Sequence, residues 1–259
     1  MTGMHLTYTS REVLPGVRHI LDPLGVHLTL LTGTRGALLL DCGYGALDLK
    51  AYMDGLTDLP LTVLLSHGHH DHALGAMRFP ETWMLEEDLP VFHQYTGVDQ
   101  RRRVLERAGL YEAEAEGYLA ARIPPPRALR TDLFDLGGLS ARVIPAPGHT
   151  PGSLALYVPE WRLLLLGDSW NPQTWLFFPE ALPVRDYART FKRLMTLPFE
   201  QALAPHHPDL LSREFLQRYH DGLTEEGFAS AKPYPVAGYE QLPTRAFAPC
   251  PGALLVFRA

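Results

Sequence analysis

The stretch LTVLLSHGHHDHALG, residues 61–75, decides how this chain is read. An apolar, partly β-branched run opens it and predicts a strand buried on both faces. His67, His69, Asp71 and His72 follow at once, with His70 between them. In extended chain, positions i and i+2 face the same side, so His67 and His69 can converge on one point. Asp71 and His72 fall where the chain turns and can face a second point. Neutral imidazole is a common zinc ligand, and carboxylate is a harder oxygen ligand. A bound cation would hold the imidazoles neutral and the carboxylate ionised, which explains why a chain tolerates such crowding. The competing reading is a histidine-rich surface loop. With 12 His in 259 residues, the ordered pattern arises by chance in roughly one such chain per thousand. His70 is expected to point away from the ligands.

One loop does not complete a metal site, and three further stretches offer ligand-type residues after strand-like runs. PAPGHTPGS (145–153) holds His149 in a Pro/Gly turn,. LLLLGDS (163–169) ends an apolar run on Asp168, which fits either a helix N-cap or a ligand,. LAPHHPD (203–209) offers His206 and His207. Each signal is weak alone.

Around these motifs the chain reads as mixed α and β. Residues 17–31, 36–43, 139–146, 153–168 and the tail GALLVFRA carry strand signals. TGTRG fits a hairpin loop, and Pro159-Glu160 fits another,. Residues 98–121 are rich in helix formers, with a break expected near Gly109 and Gly117 and a stop at IPPPR,. Residues 184–197 place Tyr187, Phe191, Leu194 and Met195 on one helical face, and 212–224 also read as helix,. Paired strands with helices between them suggest sheets covered by helices.

Composition limits the function classes. The net charge of −6 argues against a broad nucleic-acid surface,. Arg101-Arg102-Arg103 is too short to reverse this and reads as a solvated helix face,. Two cysteines cannot build a disulfide framework, and the first residues contain no apolar leader,. No apolar run reaches the length of a membrane span. A cytoplasmic protein with a small-molecule substrate is expected, with no nucleic-acid or membrane partner.

SHGHHDH, PGHTPGS, LLLLGDS and LAPHHPD, in this order and led by ALLLDCGYG, resemble the metallo-β-lactamase superfamily over residues 17 to about 210. The resemblance implies an α/β fold, a four-layer αββα sandwich of two similar halves, with residues 1–259 forming a single domain and a helical insert at about 90–122. It implies that His67, His69 and His149 bind one metal. Asp71, His72 and one of the His206-His207 pair would bind a second, with Asp168 bridging. The superfamily's Pro-x-His spacing selects His207, with His206 as the alternative. Two divalent ions are implied, zinc first, with iron or manganese possible. At a separation of roughly 3.5–4 Å they would share one hydroxide that attacks an ester-like bond, with Asp71 orienting it or carrying a proton.

The glyoxalase II-like and lactonase branches fit best, with a thioester, lactone or related small substrate. The alternatives are a mononuclear iron enzyme resembling persulfide dioxygenases, and a phosphodiesterase. The insert and the loop after Asp168 are expected to shape the pocket, with Trp170, Trp175 and Phe177 lining it. Those rings could equally cap the core. Arg185 is the nearest cation, with a surface role favoured.

Overall fold

The computed structural model describes residues 7–108 and 113–259. The chain divides into two compact units, Met1–Ala141 and Arg142–Ala259. The break expected at Gly109 lies outside the described residues.

Unit 1 is built on a seven-stranded sheet. Its order is β1 (Thr9–Leu14), β2 (Val17–Leu21), β3 (His27–Thr32), β4 (Ala37–Leu40), β5 (Leu61–Leu64), β6 (Trp83–Met84) and β7 (Arg127–Ala128). The first four strands meander antiparallel, and the Gly33–Gly36 turn joins β3 to β4 as TGTRG predicts. From β4 onward the pairing is parallel. Parallel neighbours need crossovers, and helices supply them. They are α1 (Leu49–Asp54) before β5, α2 (His70–Ala73) before β6, and α3 (Leu89–Tyr95), α4 (Val98–Ala108) and α5 (Ala113–Ala120) before β7. Every residue of β4 is buried, which is why its sequence is continuously apolar rather than alternating,. The core joins Ile20, Leu28, Leu39 and Val63 of the sheet to Val104, Leu105 and Tyr118 of the helices.

Helices α3–α5 occupy the stretch that the sequence reads as helical. Arg102 and Arg103 are solvated, but Arg101 is turned inward. Its guanidinium donates to Tyr118 O at 2.8 Å and Ala121 O at 2.7 Å, tying α4 to α5. Buried backbone carbonyls need donors, and an arginine fork can serve two at once.

After β8 (Leu133–Asp135), β9 (Ser140–Pro145) crosses the division between the units. Unit 2 continues with β10 (Leu154–Val158), β11 (Leu163–Leu165), β12 (Gln173–Leu176), α6 (Val184–Met195), β13 (Gln201–Leu203), β14 (Leu211–Ser212), α7 (Arg213–Gly222), α8 (Glu225–Ser230), β15 (Lys232–Pro233), β16 (Thr244–Phe247) and β17 (Leu254–Arg258). One sheet runs β14-β13-β11-β10-β9. β10 is antiparallel to both β9 and β11, and β11 is parallel to β13. Strands β9, β11 and β13 therefore point the same way, and the loops that follow them leave from one edge of the sheet. In sheets of this kind ligands gather at the carboxyl ends of the strands.

A further sheet, β12-β17-β16-β15, was not foreseen. The segment read as an irregular loop after Asp168 contains β12, held in register by β17 from Gln173↔Leu254 to Leu176↔Phe257. Helix α6 buries Tyr187, Phe191, Leu194 and Met195, the face its spacing predicts. Among the described residues no helix is long and apolar enough to cross a membrane.

Candidate metal centre

In unit 1 the ladder between β4 and β5 ends where a side chain takes over from the backbone. Asp41, just past β4, has φ +70°, a left-handed conformation that Asp tolerates better than most residues,. That turn aims its carboxylate across at the chain leaving β5. It accepts Ser66 N–H at 2.6 Å, Ser66 Oγ–H at 2.8 Å and His72 Nδ1–H at 2.9 Å. His67 is thereby delivered at the end of β5, and α2 opens after His69. The His67 ring lies 4.7 Å from that of His69 and 4.1 Å from that of His72, all three buried. Asp71 Oδ2 lies 3.5 Å from His72 Nε2. His70 packs edge-on to Tyr44 at 5.6 Å.

The insert is pinned to this motif. Gly68 N–H donates to the buried Asp88 carboxylate at 2.6 Å. A Cβ on Gly68 would lie 2.3 Å from Phe92 N, so α3 sits where only glycine leaves room. Tyr95, at the end of α3, sets its ring 4.5 Å from that of His69. Below the motif, buried Asp22 accepts Leu24 N–H and Tyr44 N–H. Burial, and then the nearby Asp71 charge, push its pKa up to about 6 against those hydrogen bonds,.

In unit 2 the ligand-type residues follow three different strands. His149 comes after β9, Asp168 after β11 and His206 after β13. One carboxylate oxygen, Asp168 Oδ2, lies 3.4 Å from His149 Nε2 and 3.6 Å from His206 Nε2. His149 and Asp168 are buried, and the His206 side chain is about one-third exposed.

Proton counting fixes which ring nitrogen faces each acid. Ser66 Oγ spends its one proton on Asp41, so it accepts from His67 Nδ1–H at 3.0 Å,. His72 gives its Nδ1 proton to Asp41, and His149 gives its own to Trp175 O at 2.6 Å. In the neutral form all three rings carry their lone pair on Nε2. His72 Nε2 and His149 Nε2 then turn lone pairs, not protons, toward the carboxylates of Asp71 and Asp168. Facing acceptors repel unless a cation lies between them or the rings are charged. The donor set of each unit fits a divalent ion, and an acceptor behind the metal-facing imidazole is the usual means of orienting such a ligand.

Three expectations are corrected. His206, not His207, reaches Asp168. The chain past β13 is a turn, closed by His207 N–H to Ala204 O at 3.2 Å, and the His207 ring bends to its own loop, Nδ1 to Asp209 O at 2.9 Å. Trp170 and Phe177 are 1% and 0% exposed and belong to the cores of unit 2. Trp175 is half-buried, its ring against Phe177 at 5.1 Å, and its tie to the ligands is its backbone carbonyl. Trp170 and Phe177 are apolar because they fill space beneath the loop, not because they line it. Arg185 takes the surface role, in a two-pronged pair with Glu225 at 2.7 Å.

The sequence reading missed the acceptors Asp41, Asp88 and Trp175 O. Asp41 had a readable signal, an acid followed by Cys-Gly at the end of an apolar strand. A backbone carbonyl has none.

Residues 21–207 match the family model of the metallo-β-lactamase superfamily. The chain is 25% identical to acyl-coenzyme A thioesterase MBLAC2 of Gallus gallus, over 74% of this chain and 76% of that protein. It is 30% identical to the hydroxyacylglutathione hydrolase of Ectopseudomonas mendocina, over 51% of this chain and 57% of that one. Among solved structures it is similar to TTHA1623 in a di-iron-bound form, with a TM-score of 0.57 and 25% identity, over 76% of this chain and 95% of that one.

Proposed function

The chain belongs to the metallo-β-lactamase superfamily and is a hydrolase of that superfamily, and from that premise we propose that it cleaves a small thioester with the help of two metal ions. The observation that supports the reading is Asp168, one of whose oxygens is flanked by two imidazoles at 3.4 and 3.6 Å, a placement from which one carboxylate could serve two ions. Under this proposal residues 1–259 work as one catalytic domain. His67, His69 and His149 would hold one ion, Asp71, His72 and His206 would hold the other, and Asp168 would serve both.

Two divalent ions, when bound, make a water acidic enough to attack near neutral pH and draw charge from the scissile carbonyl oxygen. Asp41, Ser66 and the Trp175 carbonyl keep the imidazole lone pairs aimed inward. Asp71 would orient the attacking oxygen or carry a proton to the leaving group. A thioester suits this set, because a thiolate is a good enough leaving group to depart with little help from an acid. The thioesterase and hydroxyacylglutathione hydrolase relatives support that choice over a lactone or phosphodiester. Imidazole and carboxylate donors accept zinc, iron or manganese, and the di-iron-bound relative adds weight to iron,. A cytoplasmic location completes the proposal, supported by two cysteines that are both unbridged and buried.

Metal counting on the purified protein, with hydrolysis of acyl-CoA and acylglutathione thioesters, lactones and phosphodiesters before and after chelation, tests the reading. Two equivalents of metal and chelator-sensitive thioester hydrolysis are expected. One equivalent of iron with thiol-dependent oxygen uptake would overturn it, as would full activity after complete metal removal.

A further inference from the structure

We propose that Tyr187 is a positioning residue that fixes two metal ligands of unit 2, His149 and Asp168, relative to one another; this rests on the metal reading above. Tyr187 lies on the core face of α6, 1% exposed. A phenylalanine would fill that volume without a hydroxyl, and a buried phenol O–H normally has a partner that accounts for it. Here the partner is Ser169 O, at 2.6 Å, in the residue that follows Asp168. A second phenol, Tyr219, lies 2.9 Å from Tyr187 Oη and is fully buried. Each phenol has one proton to give. Tyr187 spends its proton on Ser169 O, so toward Tyr219 its oxygen can only accept, and Tyr219 has Thr174 as a second partner within hydrogen-bond reach. Burial raises the pKa of both phenols, so both protons stay in place through the neutral range.

The same side chain also supports the other ligand. A Cβ on Gly148 would lie 2.8 Å from Tyr187 Cδ2 and 3.3 Å from Tyr187 Cβ, so the backbone just before His149 rests on the ring. Leu182 N–H, two residues before α6, donates to Gly148 O at 2.8 Å and holds the loop down. Tyr187 thus touches the residue after one ligand and the residue before the other.

The test compares Tyr187→Phe with Tyr219→Phe and with Tyr157→Phe. Tyr157 belongs to the same core, and its hydroxyl bonds Pro198 O, remote from the ligand loops. Cobalt(II) affinity by chelator competition, the visible spectrum of the cobalt protein, amide exchange at 169–171 in metal-free protein, kcat and KM are read for each. Tyr187→Phe is expected to weaken cobalt binding about 10- to 100-fold, shift the spectrum, speed exchange at 169–171 and lower kcat with KM unchanged. Tyr219→Phe, which leaves the bond to Ser169 O, should change affinity at most a few-fold, and Tyr157→Phe should match wild type. Wild-type affinity and spectrum in Tyr187→Phe, even with a lowered Tm, would overturn the proposal, as would equal losses in all three variants. Should Tyr187→Phe fail to fold, Gly148→Ala decides. It keeps both phenols and pushes the His149 loop off the ring, and wild-type affinity there would overturn the proposal. A wild-type protein that binds cobalt no better than Asp168→Ala would instead bring down the metal reading, and this inference with it.

Discussion

The two units supply the same kinds of donor by opposite means. In unit 1 His67, His69, Asp71 and His72 fall within six consecutive residues, carried by one strand end and the first turn of a short helix. In unit 2 His149, Asp168 and His206 follow three separate strands, each alone in its loop. The contiguous set is placed by local geometry and then locked from outside by Asp41 and Asp88. The dispersed set exists only because β9, β11 and β13 run in the same direction, and it is held by a carbonyl and a phenol from other elements. A contiguous ligand set therefore belongs to the sequence, whereas a dispersed one belongs to the sheet.

The largest effect is expected at Asp168, which serves both neighbouring imidazoles. Asp168→Ala should cut turnover on the order of 10³-fold, in the range seen when a principal electrostatic group is removed, and should lower metal content in parallel. Two retained equivalents of metal with activity alone lost would show that Asp168 does not bridge.

The register of the last ligand comes next. His206→Ala should lose a metal equivalent and roughly 10²-fold in turnover. His207→Ala should keep both ions and stay within a few-fold of wild type, because its ring already bonds its own loop. The reverse pattern in metal analysis would move the ligand to His207.

Gly68→Ala probes how tightly the contiguous set is locked. The new methyl would meet the backbone of α3 at 2.3 Å, which cannot yield as a flexible side chain would. A loss of about 1–3 kcal/mol in unfolding free energy is expected, measured by denaturant titration. Gly148→Ala meets the Tyr187 side chain at 2.8 Å rather than backbone at 2.3 Å and should cost less. Equal costs would mean that the two ligand sets are equally rigid.

A further effect is spread over pH. Burial raises Asp22 to about 6 from an ordinary 3.8, so the folded metal-free protein holds a proton that the unfolded chain has lost. Between pH about 4 and 6 the native state binds more protons, and stability falls as pH rises, by on the order of 2–3 kcal/mol in all. Asp22→Asn should flatten that decline in urea titrations of metal-free protein, whatever it does to absolute stability. An unchanged slope would place the Asp22 pKa near its ordinary value.

The same contrast explains what could be read from the chain. The β5–motif unit, the β10–β11 hairpin and the buried face of α6 were legible, because each is written in neighbouring residues. The sheet formed by β12, β17, β16 and β15 was not. β12 lies in a Pro-punctuated stretch and becomes a strand only by pairing with a segment far along the chain, and β-propensity depends on such context,. His149 and Asp168 were found only in company with the other motifs. His206 was weighed second because a spacing rule assumed extended chain where a turn closes on Ala204. The aromatic run after Asp168 stayed open between two readings, because apolar residues beneath a loop and apolar residues lining one have the same composition.

The parallel pair β12–β17 has a consequence for the order of assembly. Trp175, whose carbonyl takes the His149 proton, is registered opposite Val256. During synthesis His149 leaves the ribosome long before its orienting acceptor has a partner strand. Contacts so distant in sequence form late, after their loop-closure entropy has been met. The histidine motif of the first unit draws on contacts near in sequence, whereas the second unit's histidine is oriented by a strand whose partner lies about eighty residues further on,.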